Sequence, residues 1–128
     1  MSGTLDGVRV LIVDDSDDTR ELFAMVLKDA GAEVLAVADG REAMRAVLQW
    51  PPRVVVSDLK LRGADGCEIL GELRSLEHLR HVPAIAVSGK TAPGEAKAAL
   101  DAGFQEHVAK PLEPDALVRT VERWAARS

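Results

Sequence analysis

Short apolar runs alternate with segments of helical periodicity along the whole chain, and this alternation predicts the secondary structure. The first run, residues 8–13, is apolar except for Arg9, which suits a strand buried on both faces. Comparable runs recur after each helical segment. The five predicted strands are residues 8–13, 33–37, 53–57, 83–87 and 104–108.

Helical periodicity fills the intervals between these runs, and glycine or proline marks several of the helix ends. The predicted helices are residues 17–30, residues 40–49, a third helix after the loop 59–65, residues 93–102 and residues 113–127. Gly31 and Gly103 are typical residues after a helix, and Pro51-Pro52 stops the second one. The apolar stripes are Leu22, Phe23, Val26, Leu27 and Ala30; Ala43, Met44, Val47 and Leu48; Ile69, Leu70, Leu73 and Leu76; and Leu117, Val121, Trp124 and Ala125.

The fourth predicted helix has a weaker apolar stripe than the other four. Its inward residues are expected to be Ala96, Ala99 and Leu100. At about 25 cal/mol per Å² of buried apolar surface, alanines hold a helix to a sheet less firmly than leucines do. Weakly held elements are the first to shift, so we expect this helix to be the moving part of the molecule.

Strict alternation of strands and helices predicts an α/β protein with a doubly wound, five-stranded parallel sheet. The length of 128 residues fits one domain, residues 1–128, with an ordered core from about residue 6 to about residue 126. No apolar run approaches the roughly 20 residues that cross a bilayer, so no membrane association is expected.

Charge and cysteine content narrow the function classes. The formal net charge of −5 argues against direct binding of nucleic acid, which needs clustered lysine and arginine. Cys67 is the single cysteine, so an intramolecular disulfide is impossible. A cytoplasmic location is the simplest expectation.

Polar residues that can bind a metal or take part in a reaction follow the predicted strands, at the point where each strand ends. Because the carboxyl ends of parallel strands meet at one edge, these side chains are expected to converge. They are Asp14 and Asp15 after the first strand, Asp58 after the third, Ser88 after the fourth and Lys110 after the fifth. Clustered carboxylates repel each other unless a cation joins them, and oxygen ligands favour a hard ion such as Mg²⁺. A carboxylate beside such an ion can take a phosphoryl group as an aspartyl phosphate.

Four stretches of the sequence resemble the signature regions of bacterial response-regulator receiver domains, the CheY-like family. They are VRVLIVDDSDD, VVVSDLKLRGADG, PAIAVSGK and AGFQEHVAKP, in the family's order at the four relevant strand ends. The resemblance covers residues 6 to 127 approximately. It implies a flavodoxin-like (βα)5 fold with strand order 2-1-3-4-5.

The resemblance also implies a role for each matching residue. Asp58 matches the phospho-acceptor, Asp15 the direct metal ligand and Asp14 the residue that holds the metal through water. The backbone carbonyl of Lys60 matches the remaining protein ligand. Ser88 matches the switch hydroxyl, Lys110 the phosphate-binding lysine and His107 the switch aromatic. The implied ion is Mg²⁺, with Mn²⁺ as an alternative.

As a function, the resemblance implies a phosphorylation-dependent switch of a two-component system or phosphorelay. The donor would be a histidine kinase or a histidine phosphotransfer protein, and a downstream protein would read the face formed by the fourth helix, fifth strand and fifth helix. A phosphorylation-dependent dimer is also compatible with this family. The chain would be a phospho-acceptor rather than an enzyme. It fits a stand-alone regulator or, alternatively, a receiver excised from a hybrid histidine kinase.

Three departures from the family pattern concern the neighbourhood of Asp58. Arg62 stands where a proline is usual, His107 replaces a tyrosine or phenylalanine, and Lys60 and Lys90 occupy positions that tune the lifetime of the phosphoryl group. Two other functions fit these residues less well. A phosphatase with an aspartate nucleophile would need an Asp-x-Asp pattern at the first strand. A flavin-binding domain would need a phosphate-binding first loop, which these aspartates would repel.

Overall fold

The sheet is built as the apolar runs predict. The computed structural model of the chain describes residues 4–61, 64–89 and 93–127, and of residue 64 only the backbone. Within these residues the main sheet has five parallel strands in the order β2-β1-β3-β4-β5. They are β1 (Arg9–Val13), β2 (Glu33–Val37), β3 (Val54–Asp58), β4 (Ala84–Ser88) and β5 (Glu106–Ala109). The predicted strand order 2-1-3-4-5 is therefore confirmed.

Helices cover both faces of this sheet and divide the core into two layers. Among the described residues the α-helices are α1 (Asp17–Asp29), α2 (Gly40–Gln49), α3 (Gly66–Arg74), α4 (Glu95–Asp101) and α5 (Pro114–Ala125). Side chains from α1 and α5 pack on one face of the sheet, around Ile12 and Val56. Side chains from α2, α3 and α4 pack on the other face, around Leu11 and Val55. The described helices include none that is long and apolar enough to cross a membrane.

The predicted fourth helix is the element that the structure corrects most. It begins at Glu95 rather than at Pro93, because Gly94 precedes it with a φ of +84° that a helix interior does not allow. The predicted stripe is confirmed at Ala99, which is buried, and wrong at Ala96, which is exposed, and at Leu100, which is 49% exposed. With seven residues and one buried alanine, α4 is even less firmly held than the sequence predicts.

Two other expectations also needed correction. Leu48 was placed on the apolar face of α2, but it is 64% exposed, and Leu22 of α1 is 44% exposed. The predicted loop 59–65 contains a short antiparallel pairing of Lys60–Leu61 with Ala64–Asp65. Arg62 and Lys90 lie outside the described residues.

Arg74 links the loops at the amino-terminal edge of the sheet. Its guanidinium donates hydrogen bonds to the carbonyls of Leu79 and Gly103, at 3.0 Å each, and to the side chain of Gln105. The Gln105 Oε1 atom in turn accepts a 2.7 Å hydrogen bond from the backbone N–H of Ala84, the first residue of β4. One side chain therefore aligns the starts of β4 and β5, whose other ends carry Ser88 and Lys110.

Replacing Arg74 by methionine is expected to lower the free energy of unfolding by about 2–3 kcal/mol. The apolar stem is kept, but several backbone carbonyls lose a charged donor, and such hydrogen bonds are the stronger kind. Urea denaturation measures the loss. The matched control is Arg41→Met at an exposed position of α2, where a change within about 0.5 kcal/mol is expected. Equal stability of the two variants would contradict the proposed role.

Candidate functional site

Three carboxylates meet at the carboxyl edge of the sheet. Asp58 is the last residue of β3, and Asp14 and Asp15 follow β1 directly, next to β3 in the sheet. One oxygen from each of the three lies within 4.8 Å of the others, the one such group of potential metal ligands found among the described residues. Asp14 is 2% exposed and Asp58 is 9% exposed. The edge therefore concentrates negative charge in a largely buried position.

Lys110 is the cation that bridges this cluster. It follows β5, and its Nζ atom lies 3.1 Å from the Oδ2 atoms of both Asp14 and Asp58. Burial lowers the pKa of Lys110, but the hydrogen bonds and charges of Asp58 and Asp14 outweigh burial and raise that pKa above its ordinary value. The ammonium is therefore charged at neutral pH. The ammonium is therefore placed to neutralise negative charge on a group attached to the Asp58 carboxylate.

Both carboxylate oxygens of Asp14 accept hydrogen bonds from protein groups. Its Oδ1 atom accepts a 2.9 Å hydrogen bond from the backbone N–H of Ser16, while its Oδ2 atom faces Lys110. Burial raises the pKa of Asp14, and the Ser16 hydrogen bond and Lys110 oppose that rise. Arg20 also donates to the Asp14 backbone carbonyl at 2.8 Å. At 2% exposure and anchored on Ser16 and Lys110, Asp14 suits a supporting role beside a metal.

Asp14 and Asp15 are not the N-cap residues of α1. The N-cap residue is Ser16, whose hydroxyl accepts a hydrogen bond from the Thr19 backbone N–H at 3.3 Å. Asp14 and Asp15 precede the cap and are turned into the cluster instead. Capping of α1 therefore does not account for these two carboxylates.

The backbone around Asp58 is shaped by its neighbours. The Asp58 Oδ1 atom accepts a 3.1 Å hydrogen bond from the backbone N–H of Lys60. Gly66, the first residue of α3, approaches so closely that a Cβ atom there would lie 2.2 Å from the Asp58 carbonyl oxygen. Sequence reasoning did not single out Gly66 or Arg20, because neither belongs to the chemistry and only the folded chain brings them to the site.

The remaining predicted residues form a second group beside the first. Ser88 ends β4, next to β3, and its Oγ atom lies 2.9 Å from the Nε2 atom of His107 on β5. Ser88 is thus at the predicted edge, where His107 is a hydrogen-bond partner of its hydroxyl. The Lys110–Pro111 peptide bond is cis.

The described site fits a divalent cation bound by oxygen. Three carboxylates against one ammonium leave two negative charges uncompensated when all four groups are ionised. Carboxylate oxygens are hard ligands of the kind that Mg²⁺ prefers, and Mg²⁺ uses only one or two of them directly. The roles predicted for Asp14, Asp15 and the Lys60 carbonyl remain predictions.

The sequence matches a known protein family. The family model described as response regulator receiver domain matches residues 10–122. This chain belongs to the receiver domain family. The suspected resemblance is therefore confirmed, and with it the assignment to two-component signalling.

Related sequences carry the receiver domain in different contexts. This receiver domain is 35% identical over 121 residues to a 14.6 kDa protein from the sodA1 3′ region of Leptolyngbya boryana, covering 94% of this chain and 92% of the relative. It is also 33% identical over 119 residues to the sensor histidine kinase GacS of Pseudomonas protegens, of which it covers 13%, and 91% of this chain is aligned. For the DNA-binding response regulator MtrA of Mycolicibacterium smegmatis the identity is 32%, over 94% of this chain and 51% of MtrA.

Solved structures agree with this assignment. The chemotaxis response regulator CheY4 of Vibrio cholerae superposes with a TM-score of 0.85 at 30% identity, over 91% of this chain and 98% of that one. The receiver domain of a sensor histidine kinase from Pseudomonas aeruginosa also gives a TM-score of 0.85 at 30% identity, over 94% of this chain and 98% of that one. That structure has a magnesium ion coordinated in its active-site cleft.

Proposed function

We propose that this receiver domain accepts a phosphoryl group on Asp58 from a phosphohistidine of a histidine kinase or histidine phosphotransfer protein. The observation that carries the proposal is the Asp58 carboxylate, buried to 9% exposure between the Lys110 ammonium and the Lys60 backbone N–H. A carboxylate oxygen forms the new bond to phosphorus, and the bond from phosphorus to the donor imidazole breaks. The imidazole leaves with the electron pair of that bond.

The residues around Asp58 supply the charge neutralisation that phosphoryl transfer requires. Asp15, Asp58 and the Lys60 carbonyl would hold Mg²⁺, and Asp14 would support it through water. Mg²⁺ in that position offsets negative charge on the phosphoryl oxygens. Lys110, held by Asp14 and Asp58, provides a second positive charge from the side of β5. Ser88, which ends β4 next to β3, would donate its hydroxyl to the phosphoryl group after a change of rotamer.

The surroundings of Lys110 indicate how the donor approaches. A groove of about 360 Å³ beside Lys110 is lined by α1 and by the segment after β5. Leu22, which lines this groove, is 44% exposed, and Met25 on the same helix is 56% exposed. Exposed apolar side chains next to a reactive group favour a protein partner that covers them. We therefore infer that the donor protein presents its phosphohistidine over α1.

We further propose that the chain is a phospho-acceptor and switch rather than an enzyme with a separate substrate. A phosphatase that used Asp14 as nucleophile is disfavoured, because Asp14 is only 2% exposed, whereas Asp58 is 9% exposed. The output face would consist of α4, β5 and α5, where α4 is held by a single buried alanine. The relatives include a protein of similar length and a much longer sensor kinase, so a stand-alone regulator and a receiver from a hybrid kinase both suit this mechanism.

Incubation with acetyl phosphate, a small-molecule phosphoryl donor, tests the proposed function. With Mg²⁺ present, intact-protein mass spectrometry should detect the gain of one phosphoryl group. That group should be removed by hydroxylamine, which cleaves acyl phosphates but not serine phosphates. A sample treated with EDTA is the control and should gain little. No mass gain with Mg²⁺, or a product stable to hydroxylamine, would contradict the proposal.

A further inference from the structure

Glu95 places a carboxylate in the interior, beside the Ser88–His107 pair. It is the first residue of α4, and its side chain is 11% exposed. Its Oε1 atom is buried and has no hydrogen-bond partner among the residues that the structure describes. Buried carboxylate oxygens are normally hydrogen-bonded, so an orphaned one requires an explanation. The nearest candidate partner is the imidazole of His107, 8% exposed at its side chain, with Nε2 at 4.0 Å from Oε1.

Successive side chains of β5 point to opposite faces of the sheet, so His107 and its neighbour Glu106 have different surroundings. Glu106 lies towards α5, where its Oε1 atom accepts hydrogen bonds from Arg123 and Trp124 at 2.7 Å each. His107, the next residue, lies on the other face, towards α4. The His107 ring therefore has two oxygen neighbours near the same nitrogen: Ser88 Oγ at 2.9 Å and Glu95 Oε1 at 4.0 Å.

These two oxygens compete for one proton. A neutral imidazole that carries its proton on Nε2 can donate it to Ser88 or to Glu95, but not fully to both. At 2.9 Å the Ser88 oxygen is within hydrogen-bond range, whereas 4.0 Å to Glu95 is beyond it. If Ser88 changed rotamer so that its Oγ atom moved away from the ring and towards a phosphoryl group on Asp58, the buried Nε2–H would lose its acceptor. A movement of about 1 Å by the first turn of α4 would then bring Glu95 into range.

We propose that Glu95 is a positioning residue that takes over the His107 Nε2–H when Ser88 turns to the phosphoryl group. The proposal rests on the proposed phosphorylation of Asp58 and names the contact through which that event reaches α4. No bond other than hydrogen bonds changes, and the proton stays on Nε2. Because α4 has Ala99 as its buried residue, little apolar surface opposes the shift. The new hydrogen bond would draw the start of α4 towards β5 and change the proposed output face.

Beryllofluoride, which mimics the phosphoryl group on aspartate, allows a direct test by NMR of the histidine side chains. In the wild type with Mg²⁺, the His107 resonances should identify a proton on Nε2 before and after addition. That proton should move downfield on addition, because a hydrogen bond to a carboxylate is stronger than one to a hydroxyl. A His107→Phe variant assigns the signals, since His78 and His81 are the only other histidines.

Glu95→Gln is the decisive variant, because glutamine keeps the shape of the side chain but removes its charge. The downfield shift should become clearly smaller, because the amide oxygen of glutamine still accepts a hydrogen bond but carries no charge. The apparent affinity for beryllofluoride should fall about three- to tenfold. Asp101→Asn, an exposed position of the same helix, is the matched control and should behave as the wild type. In a His107→Phe background, Glu95→Gln should change the affinity less than twofold, because the ring N–H is gone.

The outcomes separate this proposal from the proposed function. Wild-type protein that does not bind beryllofluoride would overturn the phospho-acceptor role and the exchange together. Normal binding with the same His107 shift in wild type and Glu95→Gln would overturn the exchange alone. A His107 ring protonated only on Nδ1, or an equal effect of Glu95→Gln with and without His107, would also overturn it.

Discussion

Replacing Asp58 by asparagine should abolish phosphorylation by acetyl phosphate, with no product above background. The amide keeps the size of the side chain and can still accept the Lys60 N–H through its carbonyl oxygen, so the loop should keep its shape. It is not a nucleophile under these conditions, and we expect neither Asp14 nor Asp15 to replace it. Asp14 is only 2% exposed, and Asp15 would hold the metal.

The matched control for this variant is Asp18→Asn. Asp18 lies in the first turn of α1 and is exposed, so it carries the same substitution close to the site without altering the cluster. This control should gain one phosphoryl group at the wild-type rate. Peptide mapping of the wild type should locate the modification on Asp58. Phosphoryl label in Asp58→Asn, at Asp15 or elsewhere, would show that Asp58 is not the sole acceptor.

Replacing Asp15 by alanine should weaken Mg²⁺ binding by about 100-fold or more, whereas Asp14→Asn should weaken it by about tenfold. Loss of an outer-sphere partner typically costs 10- to 100-fold in metal affinity, and loss of a direct ligand should cost at least as much. Asp14 is expected at the low end, because its oxygens already serve Ser16 and Lys110. A 100-fold loss corresponds to about 2.7 kcal/mol of binding free energy.

Isothermal titration with Mg²⁺ measures both affinities, and Asp18→Asn again serves as the control with an exposed carboxylate. The order of the two losses is the informative result. Equal affinity of wild type and Asp15→Ala would refute the assignment of Asp15 as a direct ligand. A larger loss for Asp14→Asn than for Asp15→Ala would reverse the two proposed roles.

The sequence by itself determined the sheet and the edge where the candidate site lies. The apolar runs are short and continuous because β1, β3 and β4 are buried on both faces, and this pattern needs no knowledge of tertiary contacts. In a parallel sheet the residues after each strand must share one edge. Asp14, Asp15, Asp58, Ser88 and Lys110 were therefore expected at that edge from their positions alone, and the structure places all five there.

Only the tertiary structure decided how α4 lies on the sheet. A hydrophobic stripe predicts one inward face, but α4 has seven residues and follows Gly94, so it rests on Ala99 and leaves Leu100 exposed. Leu48 is exposed for a related reason, since periodicity marks an apolar stripe without showing how far the neighbouring surface extends beneath it.

Tertiary structure also decided the contacts of charged side chains, because the hydropathy pattern does not predict them. Arg74 and Glu95 are charged residues of a kind usually found at the surface. Nothing in the local sequence predicts that their side chains turn inward. Arg74 is drawn inward by carbonyls from loops that lie far apart along the chain. Glu95 is buried beside His107 because α4 lies against β5, a pairing of elements that only the folded chain creates.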